Sequence, residues 1–112
     1  MKILQATHDD VMVVTVDEPR INAAVSVAFK DAVRAAVGGH QGRVVLDVSA
    51  VEFLDSSGLG ALVAVMKLMP GQKLELAGPG PVMSKVLALT KMDRVFVIHP
   101  DAAAATAPRT AA

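Results

Sequence analysis

After two strand-like runs at its start, the chain alternates short β-branched runs with longer runs whose apolar residues recur at helical spacing. In chain order, these runs are residues 3–7 and 11–16 (strands), 22–37 (helix), 44–48 (strand), 57–69 (helix), 74–77 (strand), 82–90 (helix), 95–98 (strand) and 101–107 (helix). Strands that alternate with helices of this length are joined by right-handed crossovers and lie parallel in one sheet. The pattern therefore predicts an α/β domain with a mainly parallel five-stranded sheet and about four helices.

The first two strand-like runs are separated by the polar tripeptide His8-Asp9-Asp10, which is typical of a hairpin turn. We therefore expect the first strand to lie antiparallel at one edge of the sheet. A chain of 112 residues has the size of one domain. Residues 1–107 are expected to form that domain, and residues 108–112 to fray as a C-terminal tail.

Composition excludes several classes of function. The 11 Lys and Arg residues balance the 11 Asp and Glu residues, so no basic surface for nucleic acid is predicted. The absence of cysteine excludes disulfides, thiolate zinc sites and a cysteine nucleophile. The longest uncharged run, residues 56–66, is shorter than the ~20 residues of a membrane-spanning helix, and the opening "MKILQATHDD" is too polar for a secretory signal. We expect a cytoplasmic protein without membrane insertion.

The stretch "FLDSSGLGALVAVM" begins a helix in an unusual way, with two serines followed by two glycines. As N-cap, Ser56 would accept a hydrogen bond from the backbone N–H of Leu59 and would leave Ser57 exposed at the first helical position. Gly58 and Gly60 each cost up to ~1 kcal/mol relative to alanine, so something should compensate. Glycines let a partner's backbone approach closely, and a helix N-terminus favours an anion. This start is therefore a candidate site for phosphate acceptance or partner docking.

Sequence patterns for other chemistries are incomplete. The three histidines, His8, His40 and His99, lack metal-ligand spacing, so no metal site is predicted. The third glycine of a dinucleotide loop is replaced by Val63, and no Lys-Ser/Thr pair of a phosphate loop follows. Neither serine has glycines two residues away on both sides, as a nucleophile elbow requires. No cofactor and no catalytic residue are predicted.

The stretch "VVLDVSAVEFLDSSGLGALV" closely resembles the signature of STAS domains of the bacterial anti-sigma factor antagonist group. In that signature a strand ending in L-D-x-S leads to D-S-S-G-L-G. The flanking stretches "RINAAVSVAFKDAV" and "MDRVFVIHPDAAAA" resemble the family's entry into its first helix and its final strand and helix. The resemblance covers approximately residues 3–105.

This resemblance implies a signalling partner and kinase substrate, not an enzyme. In such systems the unphosphorylated antagonist binds an anti-sigma factor that has serine kinase activity, which frees a sigma factor for transcription. The kinase phosphorylates the motif's second serine, here Ser57, and a metal-dependent serine phosphatase reverses the reaction. The partner-binding residues implied by the motif and by the bordering loop 17–24 are Asn22, Asp55, Ser56, Ser57, Gly58 and Leu59.

Two alternatives stay open from the sequence. One is a STAS binding subunit of a lipid-transport ABC system or of another signalling complex, without a phosphorylation switch. The other is a nucleotide-binding or nucleotide-hydrolysing protein that uses the same glycine-rich helix start. The paired serines favour the antagonist, since a purely scaffolding subunit has no evident need for an acceptor hydroxyl.

Overall fold

The computed structural model describes residues 1–69 and 71–107, and the expected tail at 108–112 lies outside them. In chain order its strands and α-helices are β1 (Ile3–His8), β2 (Val11–Val16), β3 (Arg20–Ile21), α1 (Ser26–Val37), β4 (Val44–Asp47), β5 (Phe53–Leu54), α2 (Ser56–Met66), β6 (Glu75–Ala77), α3 (Pro81–Leu89), β7 (Val97–His99) and α4 (Ala102–Thr106). The runs of helical and strand-like periodicity thus each form an element of the expected type.

The main sheet has five strands in the order β1-β2-β4-β6-β7. Strand β1 lies antiparallel to β2 at one edge, and every other neighbouring pair in this sheet is parallel. The register places Val14 beside Leu46 and Leu46 beside Leu76. The prediction of a mainly parallel five-stranded sheet with an antiparallel edge strand is confirmed.

Side chains alternate between two unequal layers on the faces of the sheet. On one face, Val14 and Leu46 are fully buried against α1, α2 and α3, together with Phe29 and Leu62 from two of those helices. The opposite face carries a smaller cluster of Val11, Val13, Val45 and Ala77, which packs under Ala105 of α4. Because α4 spans only residues Ala102–Thr106, it covers little of this face.

A second, two-stranded sheet formed by β3 and β5 was not predicted from the sequence. Each strand has two residues, which is too short to show a period, and the two strands pair in parallel with Arg20 beside Phe53 and Ile21 beside Leu54. Both strands precede a helix start, β3 before α1 and β5 before α2. The pairing therefore brings these two helix starts together.

The expected N-cap of α2 was wrong by one residue. Asp55, in extended conformation, is the N-cap, and its Oδ1 accepts a hydrogen bond from the backbone N–H of Gly58 at 2.9 Å. Ser56 and Ser57 are therefore the first two helical residues, and α2 ends at Met66 instead of at 69. Aspartate and serine are equally good N-caps, and each accepts from the N–H three residues later, Gly58 for Asp55 and Leu59 for Ser56. A shift of one residue therefore satisfies the capping rule equally well.

Helix α1 also begins later than expected, at Ser26 instead of at Asn22. The Oδ1 of Asn22 accepts a hydrogen bond from the backbone N–H of Ala24 at 3.1 Å, and the carbonyl of Asn22 accepts one from Val25. Asn22 therefore closes a turn before the helix, a role that its side chain fills as readily as capping. The N-cap residue is Val25, without a side-chain cap bond.

The last strand is shifted toward the C-terminus, to Val97–His99 from the expected 95–98. A 3-10 turn at Met92–Arg94 comes before it, preceded by Lys91 in the left-handed region at φ 60°. The half-buried Met92 and the buried Phe96 pack against the main core. The apolar run from Val95 thus joins a tight turn to a short strand, two conformations that a pattern of apolar residues does not distinguish.

Under α4, the sheet carries a cluster of charged side chains centred on Glu75. The guanidinium of Arg43 donates from Nε to Oε2 of Glu75 at 2.7 Å and from Nη2 to the carbonyl of Ala105 at 3.0 Å. His99 Nε2 lies 2.7 Å from Oε1 of Glu75. Burial opposes ionisation of Glu75, but hydrogen bonds and charge from Arg43 and His99 outweigh it, and they hold the pKa of this carboxyl below its ordinary value. Arg43 and Glu75 thereby tie α4 to the sheet.

This cluster predicts an acid-dependent loss of stability. Because the pKa of Glu75 is lowered on folding from 4.5, its ionised form contributes fully above that pH, and the contribution is lost as pH falls through the folded value. We expect Glu75→Gln to lower the free energy of unfolding at pH 7 by about 2–3 kcal/mol, since Arg43 loses a charged partner. Urea unfolding between pH 7 and pH 3 should show a shallower acid slope for this variant.

The matched control is Glu52→Gln, which removes a carboxylate from an exposed position and should leave both stability and slope unchanged. An acid slope of equal steepness in Glu75→Gln and the unaltered protein would contradict the assignment.

The capping contact predicts which residue of the motif matters for stability. We expect Asp55→Ala to lower the free energy of unfolding by about 1–2 kcal/mol, because it removes the cap bond to Gly58. Ser56→Ala and Ser57→Ala should each change it by less than about 0.5 kcal/mol, since both side chains are exposed. Denaturant midpoints of the three variants separate these cases, and Asp55→Asn is the conservative control, since asparagine caps nearly as well. A larger loss for Ser56→Ala than for Asp55→Ala would restore the serine as the cap.

Candidate functional site

The start of α2 and the turn before α1 form one exposed surface, called here the α2-start surface and defined by Ala23, Ala24, Ser56, Ser57 and Gly60. All five residues are exposed. Their side chains are small, so backbone lies near the surface and a partner can approach it closely. Two exposed apolar side chains flank these segments along the chain, Val27 at 62% exposure and Phe53 at 43%.

The carboxylate of Asp55 joins the two halves of this surface. While Oδ1 accepts from Gly58, Oδ2 accepts a hydrogen bond from the backbone N–H of Ala23 at 3.3 Å. The backbone N–H of Asp55 also points to the carbonyl of Ile21, at 3.5 Å. The structure therefore places the loop 17–24 beside the motif, as expected from the sequence.

Gly58 has an internal role that differs from the one expected for it. It is buried, and a Cβ atom at this position would lie 2.0 Å from the carbonyl oxygen of Ile21 and 2.6 Å from Cδ1 of Leu54. Only glycine allows α2 to pack this closely on β3. The expectation that Gly58 lets a partner approach needs correction, because the chain itself occupies that space.

Gly60 is the glycine that faces outward. No heavy atom lies within 4 Å of a Cβ built at this position, and the residue is exposed. Leu59, between the two glycines, is half-buried and packs against the main core. Among the residues predicted to bind a partner, Ser56 and Ser57 are exposed, Asn22, Asp55 and Leu59 are half-buried, and Gly58 is buried.

The backbone at this helix start favours a negative charge. The first N–H groups of an α-helix have no partner within the helix, and the helix dipole places partial positive charge there. Asp55 satisfies the N–H of Gly58, and no acidic residue lies in the first turn of α2. Since Asp55 provides the cap, the hydroxyl of Ser57 is not needed for capping and remains at the surface.

The L-D-x-S segment that precedes the motif also has a structural role that reasoning from residue types did not find. Oδ1 of Asp47 accepts hydrogen bonds from the backbone N–H of Ser49 at 3.0 Å and from its hydroxyl at 2.7 Å. Gly78, at φ 70°, lies against this turn, where an added Cβ would be 3.1 Å from Cβ of Ser49. The signal in the sequence is the spacing of an Asx turn, in which the acid lies two residues before the serine that donates to it.

Within residues 1–69 and 71–107, no three or more histidine or acidic side chains are grouped so that they could bind a metal ion. Across the same residues, no helix has the length and apolar character needed to cross a membrane.

Comparisons with known proteins identify the family and match the overall fold. The family model of the STAS domain matches residues 2–105. A solved anti-sigma factor antagonist from Mycobacterium paratuberculosis is 31% identical to this chain, covering 90% of it and 86% of its own chain, with a TM-score of 0.79. A protein from Thermotoga maritima is 27% identical over 92% of this chain and 90% of its own, with a TM-score of 0.78.

A STAS domain protein from Planctomyces limnophilus has the same fold, with a TM-score of 0.82 and 23% identity over 93% of each chain. The family match extends from before β1 into α4, and it includes the whole α2-start surface. On this basis the chain belongs to the STAS domain family.

Proposed function

We propose that this protein is a phosphorylation-switched anti-sigma factor antagonist. In its unphosphorylated form it binds an anti-sigma factor that has serine kinase activity, and this binding releases a sigma factor. The kinase modifies Ser57, and a metal-dependent serine phosphatase removes the phosphate. The observation that carries the proposal is the exposed hydroxyl of Ser57 in the first turn of α2, free because Asp55 caps the helix. The 31% identical antagonist from Mycobacterium paratuberculosis supports the same role.

The proposal assigns the chemistry of phosphoryl transfer to the partner. A kinase supplies ATP, Mg²⁺ and the residue that orients the attacking hydroxyl. This chain supplies only an accessible acceptor on a rigid helix start, so it acts as a substrate and a binding protein and not as an enzyme. Because the kinase and the sigma factor act on transcription, the proposed place of action is the cytoplasm.

The helix start explains how a phosphate is accepted without unfolding the domain. Phosphorylation adds about −1.5 to −2 charges at pH 7. At Ser57 this charge lies at the positive end of the α2 dipole, which stabilises an exposed anion by about 0.3–1 kcal/mol. Asp55, two residues before Ser57, already accepts two backbone hydrogen bonds. The modified serine therefore changes the surface and leaves the packing of α2 intact.

The same charge weakens partner binding. The α2-start surface consists of small side chains with backbone close beneath them, so a docked partner excludes water from Ser57. A phosphate there is both bulkier than a hydroxyl and costly to desolvate, and a partner that fits the neutral serine has no cation placed for it. The unphosphorylated form is thus the binding form.

Phosphorylation of Ser57 is the first prediction of the proposal. Incubation with the cognate kinase, ATP and Mg²⁺ should add one phosphate, located at Ser57 by mass spectrometry of peptides. Ser57→Ala should still bind the kinase but remain unmodified, and the adjacent Ser56→Ala should be phosphorylated normally. A phosphate found on Ser56 or on another residue would overturn the assignment.

The affinity of the two forms tests the switch itself. Phosphorylated protein should bind the anti-sigma factor at least about tenfold more weakly than unmodified protein, a difference of about 1.4 kcal/mol. Ser57→Glu should weaken binding in the same direction. Ser84→Glu, which adds a carboxylate at an exposed serine near the start of α3, is the matched control and should bind normally. Equal affinity before and after modification would leave a STAS binding subunit without a switch as the better description.

Binding of the anti-sigma factor should depend on the open space at Gly60 and not on the equally open space at Gly39. Gly60→Arg adds a long side chain in open space on the α2-start surface, so we expect a folded protein that binds the anti-sigma factor at least about tenfold more weakly. Gly39→Arg, at the end of α1, has equally open surroundings and should bind with unchanged affinity. Circular dichroism verifies the fold, and calorimetry measures binding. Unchanged affinity in a folded Gly60→Arg variant would move the partner to a different surface.

A further inference from the structure

Among the residues that the structure describes, the outer edge of β1 is the longest unpaired backbone in the main sheet. Strand β1 is an edge strand of six residues, while the opposite edge strand, β7, has three. Proteins usually protect an edge strand with lysine, proline, a bulge or extreme shortness. Between Ile3 and Thr7 the chain has no charged residue and no proline, and the pairing with β2 is continuous from Ile3 to His8. No strand within residues 1–69 and 71–107 pairs with this edge, so it can pair with another strand.

The pairing with β2 fixes which backbone groups are free. Lys2 lies opposite Asp17, whose N–H donates to the carbonyl of Lys2 at 3.0 Å. In an antiparallel ladder, hydrogen-bonded and non-hydrogen-bonded pairs alternate. The even-numbered residues of β1 therefore bond to β2, and the N–H and C=O groups of Ile3, Gln5 and Thr7 point outward.

We propose that two copies of this chain associate through their β1 strands, antiparallel about a two-fold axis at Gln5, to form one continuous sheet. In a symmetric antiparallel pair, a residue of one copy lies opposite a residue of the second copy, and the two residue numbers add up to the same sum at every position. When that sum is ten, Gln5 faces Gln5 of the second copy, and Ile3 faces its Thr7. Each of these is a hydrogen-bonded pair, so every outward group of the strand is used, and a shift of two residues in either direction leaves some unpaired.

The side chains agree with this register. Leu4 is 56% exposed and lines a cleft of about 270 Å³ between β1 and α4. In the proposed pairing, Leu4 faces Ala6 of the second copy on the same side of the sheet, where directly opposite side chains lie closest. A large apolar side chain thus packs over a small one on both sides of the axis, and the exposed leucines become covered.

The charges at the strand ends favour a second copy over an unrelated peptide. Lys2, whose exposed ammonium lies 3.2 Å from Asp17 of its own chain, also lies opposite His8 of the second copy and next to its Asp9. The cation at one end of β1 thus meets the acidic turn at the other. The two-fold axis repeats this contact. Since the strand between these ends is uncharged, no like charges oppose each other across the pair.

Cysteine cross-linking tests both the association and its register, because the chain has no cysteine of its own. On the axis, Gln5→Cys brings two thiols onto residues whose Cα atoms lie about 5.5 Å apart, within reach of a disulfide. Thr7→Cys is exposed on the same strand and the same face, but its two copies are roughly 13 Å apart along the strand direction. We expect mild oxidation to cross-link Gln5→Cys at least about tenfold faster than Thr7→Cys. Equal rates at the two positions would overturn the proposed pairing.

Sedimentation of the full chain over a range of concentrations gives the second measurement. The unaltered protein should show a monomer–dimer equilibrium, and Gln5→Lys should raise its dissociation constant at least about tenfold by placing two lysines directly opposite each other. Ser84→Lys, which adds a lysine at an exposed residue of α3, should leave the constant unchanged. A protein that stays monomeric at all concentrations, or a dimer insensitive to Gln5→Lys, would overturn the proposal. Because Gln5 lies outside the α2-start surface, these outcomes are independent of phosphorylation at Ser57.

Discussion

The carboxylate of Asp55 connects two helix starts that the chain builds from segments 32 positions apart. One oxygen caps α2 and the other holds the turn that leads into α1. The two-residue strands β3 and β5 align the same segments, but a pair this short has little stability of its own. Asp55 adds a charge-assisted contact on each side, and such bonds are stronger than neutral ones. The geometry of the exposed surface around Ser57 therefore depends on one side chain beside it.

The two glycines of the motif have different surroundings, although they are only two residues apart: Gly58 packs against the chain, and Gly60 faces open space. Gly58 is required by the carbonyl of Ile21, because the helix start lies so close to β3 that any Cβ would overlap it. Among the described residues, no heavy atom lies within 4 Å of a Cβ placed at Gly60, so packing within them gives no reason for its cost of up to about 1 kcal/mol relative to alanine. The close docking of a partner, as proposed for this surface, supplies a reason from outside the chain.

Periodicity was sufficient to predict the sheet and its helices, because runs such as Val44–Asp47 and residues 29–37 are long enough to show a period of two or of 3.6. It was not sufficient for β3 and β5, which have two residues each, or for the N-cap, where Asp55 and Ser56 are equally good capping types. The ion cluster at Glu75 also escaped prediction, because Arg43, Glu75 and His99 lie on separate strands or connections and meet only in the folded sheet. Local patterns thus predict local structure, and contacts between distant segments need the fold.

The division of roles between Asp55 and Ser57 bears on how a switch can operate on a stable domain. If a serine capped α2, its modification would change the cap bond and the partner surface together. Here the cap is a carboxylate that is not modified, and its charge is already offset by two backbone N–H donors. A phosphate at Ser57 then acts mainly on what approaches the surface. Stability and binding are separated at neighbouring residues, so the proposed switch can change affinity while the fold that presents it stays constant.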